Sequence, residues 1–480
     1  MKSIGKTQLV FLAVFIILNA GLIIAAKPEA TYREAADADQ YIKPAIGLIQ
    51  YGAIVDADTP DIPFTFKPPL YSIFLAIPLF LFPWKIALVA VVVIQLILLY
   101  ATGLMTRGLI APFLPRLKTL AQAFVIFNPN SLITAHFTQS ETLFTFFLTA
   151  TLYTVILFVH KVNWKLPILT GLLAGLTALT RPMGLYAIPL FPIAFGIFGI
   201  YKPTWMNGGR GFKSKKSLFW AGLLATLIAC LTISPWFLRN YLKTKTFLFA
   251  SCGGVYLNDQ YMELVQIGNG WSLLKVCQHR EKIVQKYLES HDIKNWADLT
   301  EIEQNRILLD IFDDEILAQP ASSHVKALLH SWILLYLAGG ASNFKNYLGW
   351  AGESLHAFLI SEKWRGCKNT WTLFLRHQLG NRAYMYTILV MATLIIAIIL
   401  RLLGLFGLVF LFRREQREYG LLFVGILLFF MAIYIYLGHS RYRVPMEPIL
   451  AVFAASGWYV LRNFFGQVSQ KSGHPNSNST

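Results

Sequence analysis

MKSIGKTQLVFLAVFIILNAGLIIAAKPEA, residues 1–30, decides the fold. Lys2 and Lys6 precede about twenty apolar residues, enough to cross a bilayer and long for the core of a signal peptide. Small residues in IIAAKPEA would allow cleavage, but the length favours an uncleaved helix with a cytoplasmic N-terminus. Directly after this helix comes EAADADQYIKPAIGLIQYG, residues 34–52, which brings Glu34, Asp37 and Asp39 close together at the edge of the membrane.

The rest of the chain repeats the apolar pattern. Of its 480 residues 55% are hydrophobic and only 14% charged, against roughly 25% charged in soluble domains. That balance predicts a polytopic all-α membrane protein. The net charge of +17 fits basic cytoplasmic loops beside anionic lipids. Nucleic-acid binding is not expected, because no basic patch is interleaved with aromatics in a soluble domain. The four cysteines show no metal-ligand spacing. An extracytoplasmic location would allow a Cys252–Cys277 disulfide.

Loop charge orients the spans. Residues 27–67 are acidic and read as external, and residues 128–140 contain no Lys or Arg. Arg107, Arg116 and Lys118, then Lys161 and Lys165, then the basic stretch 202–216, then RREQR at 413–417 read as cytoplasmic. The alternation accommodates ten full spans. Two further apolar segments are short: 69–82, interrupted by Pro78 and read as re-entrant, and 324–339, read as in-plane and amphipathic. The expected bundle therefore holds about 10–12 transmembrane helices. Residues 1–238 form an N-terminal module with a catalytic first external loop, 27–69. Residues 239–384 form an extracytoplasmic region, 385–462 the C-terminal helices, and 463–480 a disordered cytoplasmic tail.

By this topology the polar chemistry collects at one face. The first loop supplies Asp37, Asp39, Tyr41 and Lys67; the second supplies His136 and Glu141; the third supplies Arg181. The long external region begins with Arg239, and the last turn, GHSRYRVPMEP, carries His439, Arg441, Tyr442, Arg443 and Glu447. A carboxylate can take the proton of an attacking hydroxyl, and Arg or Lys can stabilise a departing phosphate. Asp56, Asp58 and Asp61 read as solvated, and the two histidines as interfacial polar residues without a second ligand at helical spacing. A transporter or flippase of a lipid-linked or polysaccharide precursor is the alternative class. It would need polar groups within the spans, and the sequence offers few.

Four stretches in order give the sequence a resemblance to GT-C class membrane glycosyltransferases: the protein O-mannosyltransferases, the lipid A aminoarabinose transferases and related bacterial enzymes. They are Asp37 four residues before Tyr41; KPPLYSIFLAI with Lys67; Glu141 ahead of the apolar run TLFTFFLTATLY; and RYRVPMEPIL. The likeness runs from residue 8 to about 462. It implies a polyprenyl-phosphate sugar donor, a lipid, glycan or protein acceptor, and inverting displacement at the extracytoplasmic face of a bacterial inner membrane. It also implies Asp37 as general base, with Asp39 as the second choice, and Lys67, Arg441 and Arg443 on the donor phosphate. Tyr41, Glu141, Arg181, Arg239 and Tyr442 complete the expected substrate site. Many relatives carry Asp-Glu where this chain has Asp37-Ala38, so neither a metal nor another cofactor is expected.

Overall fold

The computed structural model describes residues 5–35, 37–161, 163–201, 215–350, 373, 383–413 and 416–472. Lys202, Arg210, Lys213 and Cys367 fall outside them. Helices dominate, and the sheet among the described residues is a two-stranded antiparallel hairpin, Val55–Asp56 with Thr59–Pro63. Seven helices among the described residues are long and apolar enough to span a membrane: Lys6–Ala25, Trp84–Ile110, Glu141–His160, Met183–Ile200, Lys216–Thr244, Tyr384–Arg413 and Ser440–Phe465. The protein is an integral, multi-pass membrane protein.

The other three expected spans are shorter. Asn128–Pro129 splits one into Lys118–Ile126 and Pro129–Thr134, since proline cannot continue the ladder and the Asn128 side chain caps the second helix. Lys165–Thr180 has 16 residues and Arg417–Ile433 has 17. Leu70–Leu81 is a 12-residue helix containing Pro78, roughly 18 Å long at 1.5 Å per residue. The last helix continues to Ser472, past the expected end at residue 462.

The loops alternate between two ends of the bundle. At one end Thr138 donates its amide to the Thr31 carbonyl, Asn130 donates to the Ser440 carbonyl, and Arg239 reaches the first loop. At the other end Tyr419 packs on Phe113 and sits 2.8 Å from His160. Between 239 and 350, helices Gly253–Glu263, Leu273–Ser290 and Glu301–Leu317 share a core around Tyr261, Val276, Ile311 and Phe312. Cys252 and Cys277 are free thiols, so the disulfide is not formed.

The helix after Arg441 is seated by close backbone contact. A Cβ on Gly457 would lie 1.8 Å from the Leu403 carbonyl oxygen, and one on Gly407 would lie 1.9 Å from that of Phe453. Small residues are what permit such an approach between membrane helices. Gly457→Leu should therefore force the pair apart and lower the melting temperature in detergent, by the equivalent of about 1–3 kcal/mol. A wild-type melting temperature would refute the seam.

Candidate active site

The helix Asp39–Tyr51 presses its Tyr41, Ile42 and Ala45 face into the bundle. The hairpin folds back on it at Gly47, where a side chain would collide with the Val55 carbonyl. This docking holds the turn before the helix, and Asp37 with it, over the bundle mouth. The 3-10 segment Ser440–Met446 brings Arg441 to the same place. Arg441 Nη1 donates to Asp37 Oδ2 at 2.9 Å, both side chains about one-fifth exposed. Asp37 Oδ1 accepts no hydrogen bond among the described residues. Burial alone would raise the Asp37 carboxyl, but Arg441, with Lys67 and Arg181 behind it, holds it below its ordinary value.

Three supports surround the pair. Arg441 Nη2 donates to the Tyr442 hydroxyl at 2.9 Å, and Tyr442 stacks on Tyr434 with ring centroids 4.3 Å apart. Lys67 donates to the Tyr256 hydroxyl at 2.8 Å and lies over that ring. Arg181 pairs with Glu141 at 2.5 Å, both buried, and the neighbouring Ser140 hydroxyl is 2.9 Å from that of Tyr41. Burial pushes the Tyr41 hydroxyl up to about 12, against Lys67 and Arg181, so Tyr41 stays neutral at physiological pH. The proline-rich segment contributes through Tyr71, which donates to Gln95 Oε1. Gln95 in turn donates to the Ala135 and Phe137 carbonyls and fixes the second loop.

Asp37, Tyr41, Lys67, Glu141, Arg181, Arg441 and Tyr442 thus form one group. Asp39 stands apart: it is exposed and receives the Tyr32 hydroxyl. Arg239 is held by the hairpin backbone, donating to the Ile54 and Phe64 carbonyls at 2.6 and 2.7 Å. Arg443 also turns away. It is fully buried, pairs with Glu447 at 2.5 Å and donates to the Leu335 carbonyl at 2.6 Å. Asp58 pairs with Lys43, and His136 is buried against Leu132 rather than interfacial.

Sequence reading missed Tyr256, Tyr434 and Gln95. Their signal is weak, because each is a common residue with no motif around it, Gln95 and Tyr256 within helices and Tyr434 just after one. Beside Tyr256 runs a largely apolar groove of ≈ 500 Å³, lined in part by Met183, Tyr186, Phe249, Leu257 and Tyr434. Among the described residues no group of three or more His, Cys, Asp or Glu could hold a metal ion.

No protein-family model matches the sequence, and no curated protein matches it. The fold is similar to the oligosaccharyltransferase of Archaeoglobus fulgidus in the apo form, with TM-score 0.47 and 15% identity over 98% of this chain. It is similar at TM-score 0.45 and 16% identity to the same organism's AglB in complex with an inhibitory peptide and a dolichol-phosphate. The chain spans 52% of the length of either. ArnT from Cupriavidus metallidurans gives TM-score 0.40 and 11% identity, over 97% of this chain and 81% of that one. Likeness at this level carries no functional weight, which falls on the site itself.

Proposed function

We propose that this chain is a GT-C class membrane glycosyltransferase. It moves a sugar from a polyprenyl-phosphate donor to an acceptor hydroxyl at the extracytoplasmic face. The observation that carries this reading is the Asp37–Arg441 contact, which joins the first loop to the last helix with Lys67 and Arg181 in its field. Asp37 is ionised, its Oδ1 is open to an incoming hydroxyl, and its orientation is fixed by Arg441. The Lys67 ammonium has three N–H donors and gives one to Tyr256, so two remain for the donor phosphate.

The step is a single displacement. The acceptor oxygen bonds to the anomeric carbon from the face opposite the phosphate, and its proton passes to Asp37. The C–O bond to phosphate breaks, and polyprenyl phosphate leaves against Lys67 and Arg441. One displacement inverts the anomeric centre. The groove beside Tyr256 suits the isoprenoid chain, because it is largely apolar and one of its lining residues, Tyr256, accepts from Lys67. A lipid-anchored donor also explains why the base lies next to the first helix: the scissile bond stays near headgroup level, and proximity does the rest.

Lys67→Gln should lower release of polyprenyl phosphate by about 10²-fold, because it removes one preorganised charge at the leaving group. The assay is purified protein in nanodiscs with labelled polyprenyl-phosphate hexose and pentose donors. Wild-type rates in this variant would place the phosphate elsewhere. Mass spectrometry of lipids, glycans and glycoproteins from a deletion strain identifies the product, and no missing glycoform would refute the reading.

A further inference from the structure

Lys67 and Tyr256 meet at 2.8 Å although 189 residues separate them in the chain. Their registry is set a few residues upstream of each, where Thr65 and Ser251 lie side by side, both buried. The Ser251 amide donates to the Thr65 carbonyl at 3.0 Å, and the two hydroxyls are also 3.0 Å apart. Both hydroxyls donate to one oxygen, Glu301 Oε1, that of Thr65 from 3.1 Å. One residue before Thr65, Arg239 holds the Phe64 carbonyl.

Glu301 opens the helix Glu301–Leu317. An acid in a first turn commonly serves the helix dipole. That turn already has Glu303, which completes a capping box with Thr300, and Glu301 reaches away from it to Ser251 and Thr65. Among the described residues Glu301 forms no ion pair. Burial raises its carboxyl, and the two hydroxyls oppose the rise. Four residues on, Asn305 Oδ1 accepts the Gly254 amide at 2.6 Å. A Cβ on Gly254 would lie 2.3 Å from the Asn305 carbonyl oxygen. One helix thus fastens both the start of the helix that carries Tyr256 and the segment that leads into Lys67.

Resting on the glycosyltransferase reading, we infer that Glu301 is a positioning residue for the donor phosphate. By clasping Thr65 and Ser251 it sets where the Lys67 ammonium stands, and it ties the external helices Gly253–Glu263 and Glu301–Leu317 to the leaving group. Lys67 follows Thr65 by two residues and Tyr256 follows Ser251 by five, so little chain is left to absorb slack. Without the carboxylate the Thr65 segment loses its tie to the second helix, and the lysine no longer has one fixed origin. Misplacing a charged group by about 1 Å is enough to lower a rate by up to 10²-fold.

The test is a double-mutant cycle on donor release, with the labelled donors in nanodiscs. Glu301→Ala should lower kcat/KM by about tenfold when Lys67 is present. In the Lys67→Gln background the same change should lower it by less than about twofold, because the group it positions is gone. Thr65→Val deletes one donor and leaves Ser251 on the carboxylate. It should lose about threefold, the size of a single hydrogen bond, with the same dependence on Lys67, and it decides alone should Glu301→Ala not fold. A purely structural loss removes active protein equally in both backgrounds. Equal losses therefore overturn the inference, as do wild-type rates in Glu301→Ala or Thr65→Val; in those cases the transferase reading stands. Wild-type rates in Lys67→Gln overturn it too, by placing the phosphate elsewhere, and absence of any donor turnover overturns the transferase reading as well.

Discussion

Asp37→Asn is expected to lower sugar transfer by about 10³-fold while the protein inserts at normal abundance. The substitution keeps the shape of the side chain and removes the lone pair that takes the proton, a role worth roughly 10²–10⁴-fold. It also deletes the charge facing Arg441 at 2.9 Å. That guanidinium keeps the Tyr442 hydroxyl and ring, and a partly exposed group can recruit water, so folding should survive. Because Arg441, Lys67 and Arg181 hold the Asp37 carboxyl low against its burial, the base is ionised across the neutral range. Its acid limb in kcat/KM should fall below about pH 4, the ordinary carboxylate range. The stability contributed by the pair is present above that range and is lost in the same window as protons bind. Nanodisc transfer assays with quantified protein decide the matter. Full activity in Asp37→Asn would move the base to Asp39 or end the mechanism.

The parts of this site that were legible from sequence depended on long-range polarity. Alternating loop charge placed the first and second loops and the last turn at one face, and Thr138–Thr31 and Asn130–Ser440 show them meeting. The resemblance paired Asp37 with Tyr41, and both lie in the same group, Asp37 in the turn before the helix and Tyr41 on its buried face. What failed was the direction of side chains on short irregular segments. Arg441 and Arg443 are two apart, which in a strand would put them on one side. The segment is a 3-10 turn with three residues per turn, so they diverge, one to Asp37 and the other to Glu447. Arg239 misled for a different reason. An arginine at a helix end looks the same in sequence whether it meets a phosphate or, as here, two backbone carbonyls of a hairpin.

That divergence of the two arginines makes a second large effect testable. Glu447 is buried between Arg443 and Arg401, accepting from Arg401 Nη2 at 3.0 and 3.1 Å and from Arg443 Nε at 2.5 Å. Arg443 also reaches the Leu335 carbonyl, and Arg401 lies 3.3 Å from that of Tyr336. Three elements thus converge on one carboxylate, and the turn that bears Arg441 hangs from it. Glu447→Ala leaves two guanidinium groups uncompensated in a low-dielectric setting, a loss of about 3–5 kcal/mol. Misfolding and loss of monodisperse protein in detergent are expected. Replacing all three residues together by Met, by contrast, removes the charges with the partners and should recover most of the stability. It should also recover measurable transfer, because Arg441 is then reseated against Asp37. Phosphate binding by Arg443 predicts the opposite order: Arg443→Met alone would weaken donor binding at unchanged stability, and the triple variant would fold but stay inactive. Melting temperature and donor release, measured on the same preparations of Glu447→Ala, Arg443→Met and the triple variant, separate a residue that places Arg441 from one that touches the substrate.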